Sequence, residues 1–309
     1  MNTPFRTDAA LPRARAHLGG CRCALHSRRL FTGALLGTAL AGPALAQQAA
    51  EGVRGDVGKE SVFTRLVSAE QVEQAAAQEY RQMLQQAAQK RALAPPTHPQ
   101  AIRLRAIADR IVPFTEGWNR RAAGWKWEVN LLGSPELNAF CMPGGKIAFY
   151  YGILQRLQLS DDEVATIMGH EVAHALREHA RERMGKGAAT QLGAGLASAL
   201  LGLGNTGNQV LGMGAQMLTL KFSRDDESEA DIVGMELAAR AGYDPRAGLS
   251  LWEKMLSANK GAPPEFMSTH PSGPTRIRDI EAKLPKVEPL YERAERPPRI
   301  YGPPPPAKG

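Results

Sequence analysis

The apolar positions of the 309-residue chain change period several times, and each change marks a new element. From residue 68 to about 93, "SAEQVEQAAAQEYRQMLQQAAQKRAL" spaces its apolar side chains as a helix does, among Ala, Gln and Glu, until "APPTHP" stops it. A second helix is expected over about 100–112. The period then falls to two. Residues 126–132, "KWEVNLL", alternate as a strand. "LNAFCMPGGKIAFYYGIL" reads as two strands around the turn Pro143-Gly144-Gly145, with Ile147, Phe149 and Tyr151 on one face. A long helix follows: Ser160 and Glu163 have capping-box spacing, and Gly185 or Gly187 is the expected stop. Further helices are expected over about 225–241 and 245–257, with a short one after Pro271. The expected class is α+β, mainly α, with one small antiparallel sheet.

Three stretches carry no clear period. Residues 47–65 are polar and irregular and are expected to be poorly ordered. Residues 187–220 hold no charged side chain and are rich in Gly, Ala and Leu. Polar residues such as Thr190, Gln191, Asn205 and Asn208 break that stretch up. The expectation is partly buried helices with a loop at 202–208, and the alternative is peripheral contact with a membrane surface. The tail "RPPRIYGPPPPAKG" is expected to be extended and without fixed structure. The resulting domain plan is an export signal (1–46), an N-terminal helical segment (47–97), a main domain (98–285) and a proline-rich tail (286–309).

Charge changes the picture in one place. The net charge is +7, but six arginines and one aspartate fall within residues 1–46, leaving +2 for the rest. That is no footprint for nucleic acid. Arg28 and Arg29 precede an apolar run over 30–40, and Ala44-Leu45-Ala46 supplies a small-x-small cleavage pattern. The reading is an exported, periplasmic protein with a twin-arginine-like signal cleaved after Ala46, a general secretory signal being the alternative. Cleavage leaves Cys141 as the one remaining cysteine, so no intrachain disulfide holds the fold.

The chemistry concentrates in "MGHEVAHALREHARERMG", residues 168–185. His170 and His174 are four apart, so on a helix both imidazoles reach one ion, and Glu171 leans toward the same pocket as a base for an attacking water. This is the H-E-x-x-H pattern. A catalytic zinc site wants three protein ligands. His179, nine residues after His170, falls on the opposite side of a continuous helix and is set aside. The third ligand is found in "SRDDESEADIVGMELAARAGYDP": Glu227 and Asp231 share a helical face, while Glu229 points the other way. Glu227 would bind the metal and Asp231 would accept the spare N–H of a ligating imidazole.

The segments "NAFCMPGGKI", "GHEVAHALREH", "ESEAD" and "STHPSGPTRI" together resemble metallopeptidase family forty-eight, which includes the CAAX prenyl protease, HtpX and the mitochondrial Oma proteases. The resemblance covers roughly residues 102–284 and implies a zincin-like domain whose active-site helix carries the H-E-x-x-H. It implies that the strand from Lys146 is an edge strand beside the cleft, so that Gly145, Lys146 and Ile147 would bind an extended substrate by backbone hydrogen bonds. It also implies that His270 lies near the zinc, either covering it in a latent state or polarising the substrate carbonyl. Arg276, which follows, is placed with the substrate-binding residues. Cys141 sits beside the cleft as a buried thiol, with redox control the alternative.

The function expected is an exported endopeptidase with one zinc per chain, His170, His174 and Glu227 as ligands and Glu171 as base. Its expected substrates are unfolded or misassembled envelope proteins. The rivals are a chaperone-like outer-membrane assembly factor with latent or incidental cleavage, and a zinc hydrolase of another substrate class.

Overall fold

The computed structural model describes residues 52–200, 221–258, 265–270 and 274–306. The export signal expected over 1–46, the cleavage point expected after Ala46 and the loop expected at 202–208 lie outside the described residues. Helix α1 (Ala69–Gln89) starts where Ser68 accepts the Gln71 N–H, and it buries Ala69, Val72, Ala76 and Tyr80, a stripe at three- and four-residue spacing. Helix α2 (Pro99–Ile111) begins with His98 as its cap and buries Leu104, Ile107 and Ile111.

The sheet lies between helices. Strands β1 (Glu128–Leu132), β2 (Ala139–Met142) and β3 (Lys146–Tyr150) are ordered β1-β3-β2. β2 and β3 form the expected antiparallel hairpin, in register Cys141↔Ile147. β1 instead joins the far side of β3 in parallel, Glu128↔Lys146 through Leu132↔Tyr150. The sheet is therefore mixed, and β3 is its central strand rather than the edge strand expected from the sequence. Ile147 and Phe149 face the main core, while Ala148 on the other face packs beneath Val72, Ala76 and Tyr80 of α1. With both faces covered, alternation in β3 is weak. Tyr151, expected on the strand face, opens helix α3 (Tyr151–Arg156).

Helix α4 (Asp161–Leu176) carries the predicted capping box: Ser160 Oγ accepts the Glu163 N–H and Glu163 accepts the Ser160 N–H. The expected continuation to Gly185 does not occur. The chain turns at Arg177 and Glu178, the latter in the left-handed region (φ 56°), and a new helix, α5 (His179–Leu200), begins. Asn119 Nδ2 donates to the Leu176 carbonyl freed by the break. Helix α6 (Arg224–Arg240) has its own capping box, Ser223 with Asp226, and packs along α4. Helices α7 (Ala247–Ala258), α8 (Glu265–Thr269) and α9 (Pro274–Arg293) complete the domain; α9 is far longer than the short helix expected there.

Two stretches expected to be irregular are docked. Val53 is fully buried and its N–H donates to Glu236, Asp56 pairs with Lys283 and Lys286 of α9, and a 3-10 turn (Val62–Leu66) packs on α5. In the tail, the N–H groups of Tyr301 and Gly302 donate to Asp161, which is already paired with the buried Arg103. The hydrogen bonds and ion pairs among these anchors leave no periodic trace in a sequence. No helix of the described residues is long and apolar enough to cross a membrane.

Candidate metal centre

One turn of α4 puts His170 and His174 on the face turned toward α6, and one turn of α6 presents Glu227 and Asp231 back toward them. His270, at the end of α8, closes the group. The Nε2 atoms of His170 and His174 lie 3.1 Å apart, and His270 Nδ1 lies 3.2 Å from His170 Nε2 and 3.0 Å from Glu227 Oε1. Glu227 Oε1 is 3.5 Å from His174 Nε2, and Oε2 is 3.6 Å from His170 Nε2. Four donors at about 2.0–2.1 Å from a tetrahedral ion sit about 3.3 Å from one another, so these separations fit the edges of such a site. All four residues are buried.

The hydrogen bonds argue the same way. Asp231 accepts from His170 Nδ1 at 3.0 Å, so His170 Nε2 carries its lone pair into the cluster, toward the other donors. Possible ligand atoms of three imidazoles and a carboxylate converge in one buried pocket, an arrangement that a divalent cation stabilises. The residues fit a divalent metal.

Glu171 lies beside this group, with Oε1 buried, without a hydrogen-bond partner among the described residues, and 3.5 Å from His270 Nε2. Burial pushes its carboxyl up, and the neighbouring His270 and His170 offset this only in part. Glu227 is also pushed up by burial, but its hydrogen bond from His270 and the nearby His170 and Arg276 outweigh that and hold it below the ordinary value. Phe222 stacks on His174 and Phe266 on His270, which fixes both rings.

A cavity of about 370 Å³ opens onto this centre, lined by Phe140, Cys141 and Met142 of β2 and by Glu171, His174 and His270. Gly145, Lys146 and Ile147 do not line it. Ile147 is fully buried, the Lys146 ammonium is bound by Glu128 and the Lys126 carbonyl, and a Cβ on Gly145 would come 2.7 Å from the Trp127 ring. The edge strand beside the cleft is β2. Arg276 is likewise behind the centre: it donates to both oxygens of Asp231, pairs with Glu227 at 2.9 Å and lies over the Trp252 ring. Cys141 is buried, and burial drives its thiol well above its ordinary value, which disfavours the thiolate form.

His179 is the residue that sequence spacing missed. Because the helix breaks after Leu176, its ring returns to the metal side, with Nδ1 2.9 Å from His174 Nδ1 and Nε2 2.9 Å from Glu229. Glu178 offers no glycine to signal that break.

The sequence model of Peptidase family M48 matches residues 100–284. The chain is 35% identical over 204 residues to the mitochondrial metalloendopeptidase OMA1 of Schizosaccharomyces pombe, covering 65% of this chain and 58% of that protein. It is 41% identical over 155 residues to the mitochondrial metalloendopeptidase OMA1 of Arabidopsis thaliana, covering 50% of this chain and 31% of the other. With the beta-barrel assembly-enhancing protease of Escherichia coli it shares 26% identity over 170 residues, 52% of this chain and 35% of that one. The chain thus spans less than two thirds of the length of each of these relatives.

Proposed function

The chain belongs to peptidase family M48, and from that membership we propose that it is a zinc-dependent endopeptidase acting on unfolded or misassembled proteins of the cell envelope. The observation that carries the reading is the buried set His170, His174, Glu227 and His270, with the Glu171 carboxylate beside it, its Oε1 without a hydrogen-bond partner among the described residues. Three imidazoles and a carboxylate are a donor set suited to zinc. When bound, zinc supplies a Lewis acid that polarises the scissile carbonyl and makes a water nucleophilic at neutral pH.

The protein's own groups do the rest. Glu171 Oε1 takes the proton of the attacking water and returns it to the leaving amine. Asp231 and Arg276 hold the His170 ring in its tautomer and place the Glu227 carboxylate. An extended substrate adds to the outer edge of β2, which favours unfolded clients because such pairing asks little of their side chains.

His270 occupies the corner that a substrate carbonyl or water would need. This favours a resting, closed state in which His270 must swing away before cleavage, and so a protein whose client binding and cleavage are separable. An envelope location is supported by the signal-like sequence of residues 1–46 and by the likeness to the beta-barrel assembly-enhancing protease of Escherichia coli. Cleavage of an unfolded protein by the zinc-loaded chain, compared with Glu171→Gln at equal zinc content, tests the reading; zinc-bound protein with no cleavage under any opening condition would overturn it.

A further inference from the structure

We propose that His179 and Glu229 form a positioning relay that orients the metal-facing ring of His174, an inference that rests on the metal centre proposed above. The residues are contributed by three places: His174 near the end of α4, His179 at the first position of α5, and Glu229 in the first turns of α6. The break at Glu178 brings them together. His179 is 1% exposed, and both of its ring nitrogens are engaged.

The donors and acceptors resolve in one direction only. His174 must present the Nε2 lone pair to a metal, so its proton resides on Nδ1 and is donated to His179 Nδ1 at 2.9 Å. His179 then carries its own proton on Nε2 and donates it to Glu229 Oε2 at 2.9 Å. Glu229 Oε1 accepts from Arg177 Nη2 at 3.1 Å, and the same nitrogen donates to the Gly58 carbonyl at 2.7 Å. Each ring proton along the line from His174 through His179 to Glu229 has one acceptor. The relay therefore selects the His174 tautomer that can bind a metal and fixes the ring plane, which Phe222 also holds by stacking.

His170 has the direct counterpart: its Nδ1–H meets Asp231, which is held by Arg276. The two imidazoles of the H-E-x-x-H thus each end in a carboxylate braced by an arginine. One line is short, and the other passes through a second histidine. Outer partners of this type typically contribute ~10–100-fold to metal affinity.

The test is zinc affinity by chelator competition, with the visible spectrum of the cobalt-substituted protein as a second readout, on wild type, His179→Phe, His179→Gln and Glu229→Ala. Phe keeps the ring volume without the polar atoms. Gln offers an amide oxygen to His174 and an amide N–H to Glu229, so it restores the relay. The expected result is a loss of roughly 10–100-fold for His179→Phe, a smaller loss for Glu229→Ala, recovery of most of the affinity in His179→Gln, and altered cobalt bands in the Phe variant alone of the two His179 variants. Wild-type affinity in His179→Phe, or a Gln variant as impaired as Phe, would overturn the relay. Should His179→Phe fail to fold, wild-type zinc affinity in Glu229→Ala would overturn it by itself. Absence of zinc binding by wild type is a different result: it removes the metal centre, and the relay with it.

Discussion

Gly169 and Gly234 meet where α4 crosses α6: a Cβ on Gly169 would lie 2.5 Å from the Gly234 carbonyl oxygen, and one on Gly234 would lie 2.5 Å from the His170 backbone nitrogen. Backbone-to-backbone contact at this point brings His170 within reach of Glu227 and Asp231, so the helix crossing sets the geometry of the candidate metal centre. Gly234→Ala is expected to force the helices apart, lowering stability by about 1–3 kcal/mol and weakening zinc binding together with it. Urea unfolding and chelator competition on the same samples check this. A variant with unchanged stability and affinity would show that the crossing does not set the site.

The parts of this centre that could be read from the chain were those fixed within one turn of one helix. His170 with His174, and Glu227 with Asp231, depend only on helical spacing, and both capping boxes marked where those helices start. What could not be read depended on the path between elements. Glu178 turns the chain without glycine, so continuous helical spacing places His179 on the wrong side. The parallel arrival of β1 made β3 central and left β2 as the cleft edge. Arg276 sits in a run of charged residues, and nothing in that run told that it would be buried against Asp231 and Glu227.

Asp231 gives the metal-free protein an acid limit. Burial pushes its carboxyl up, but the Arg276 ion pair and the His170 hydrogen bond outweigh this and hold it at about 2. A carboxyl held below its unfolded value contributes stability that is fully present above about pH 4 and is lost as the pH falls toward 2. The expected contribution is on the order of 2 kcal/mol, read from unfolding midpoints across that window. Asp231→Asn should flatten the dependence.

Arg276→Met should leave Asp231 and Glu227 as neighbouring buried carboxylates without their cation. Breaking such a buried group by removing one partner costs about 3–5 kcal/mol. The loss should be smaller with zinc bound, since the metal compensates the Glu227 charge. Equal losses with and without zinc would contradict the placement of Arg276 behind the metal ligands.

The tail is expected to behave as part of the domain. Removing residues 297–309 deletes the Tyr301 and Gly302 N–H donors to Asp161, an expected loss of about 2 kcal/mol. Asp161→Ala also strands the buried Arg103 and should cost more, about 3–5 kcal/mol. The order of the two in denaturant unfolding is the check; a tail deletion without effect would mean that the docked tail adds nothing to stability.

The central claim is an endopeptidase whose fourth metal corner is closed by His270 and whose base is Glu171. Its most direct test is the rate of cleavage of an unfolded, fluorescence-quenched protein by zinc-loaded wild type, His270→Ala, and His270→Ala combined with Glu171→Gln, at matched zinc content. Slow cleavage by wild type, faster cleavage by His270→Ala, and none by the double variant are expected. Cleavage that persists without Glu171, or none from any of the three with zinc bound, would contradict it.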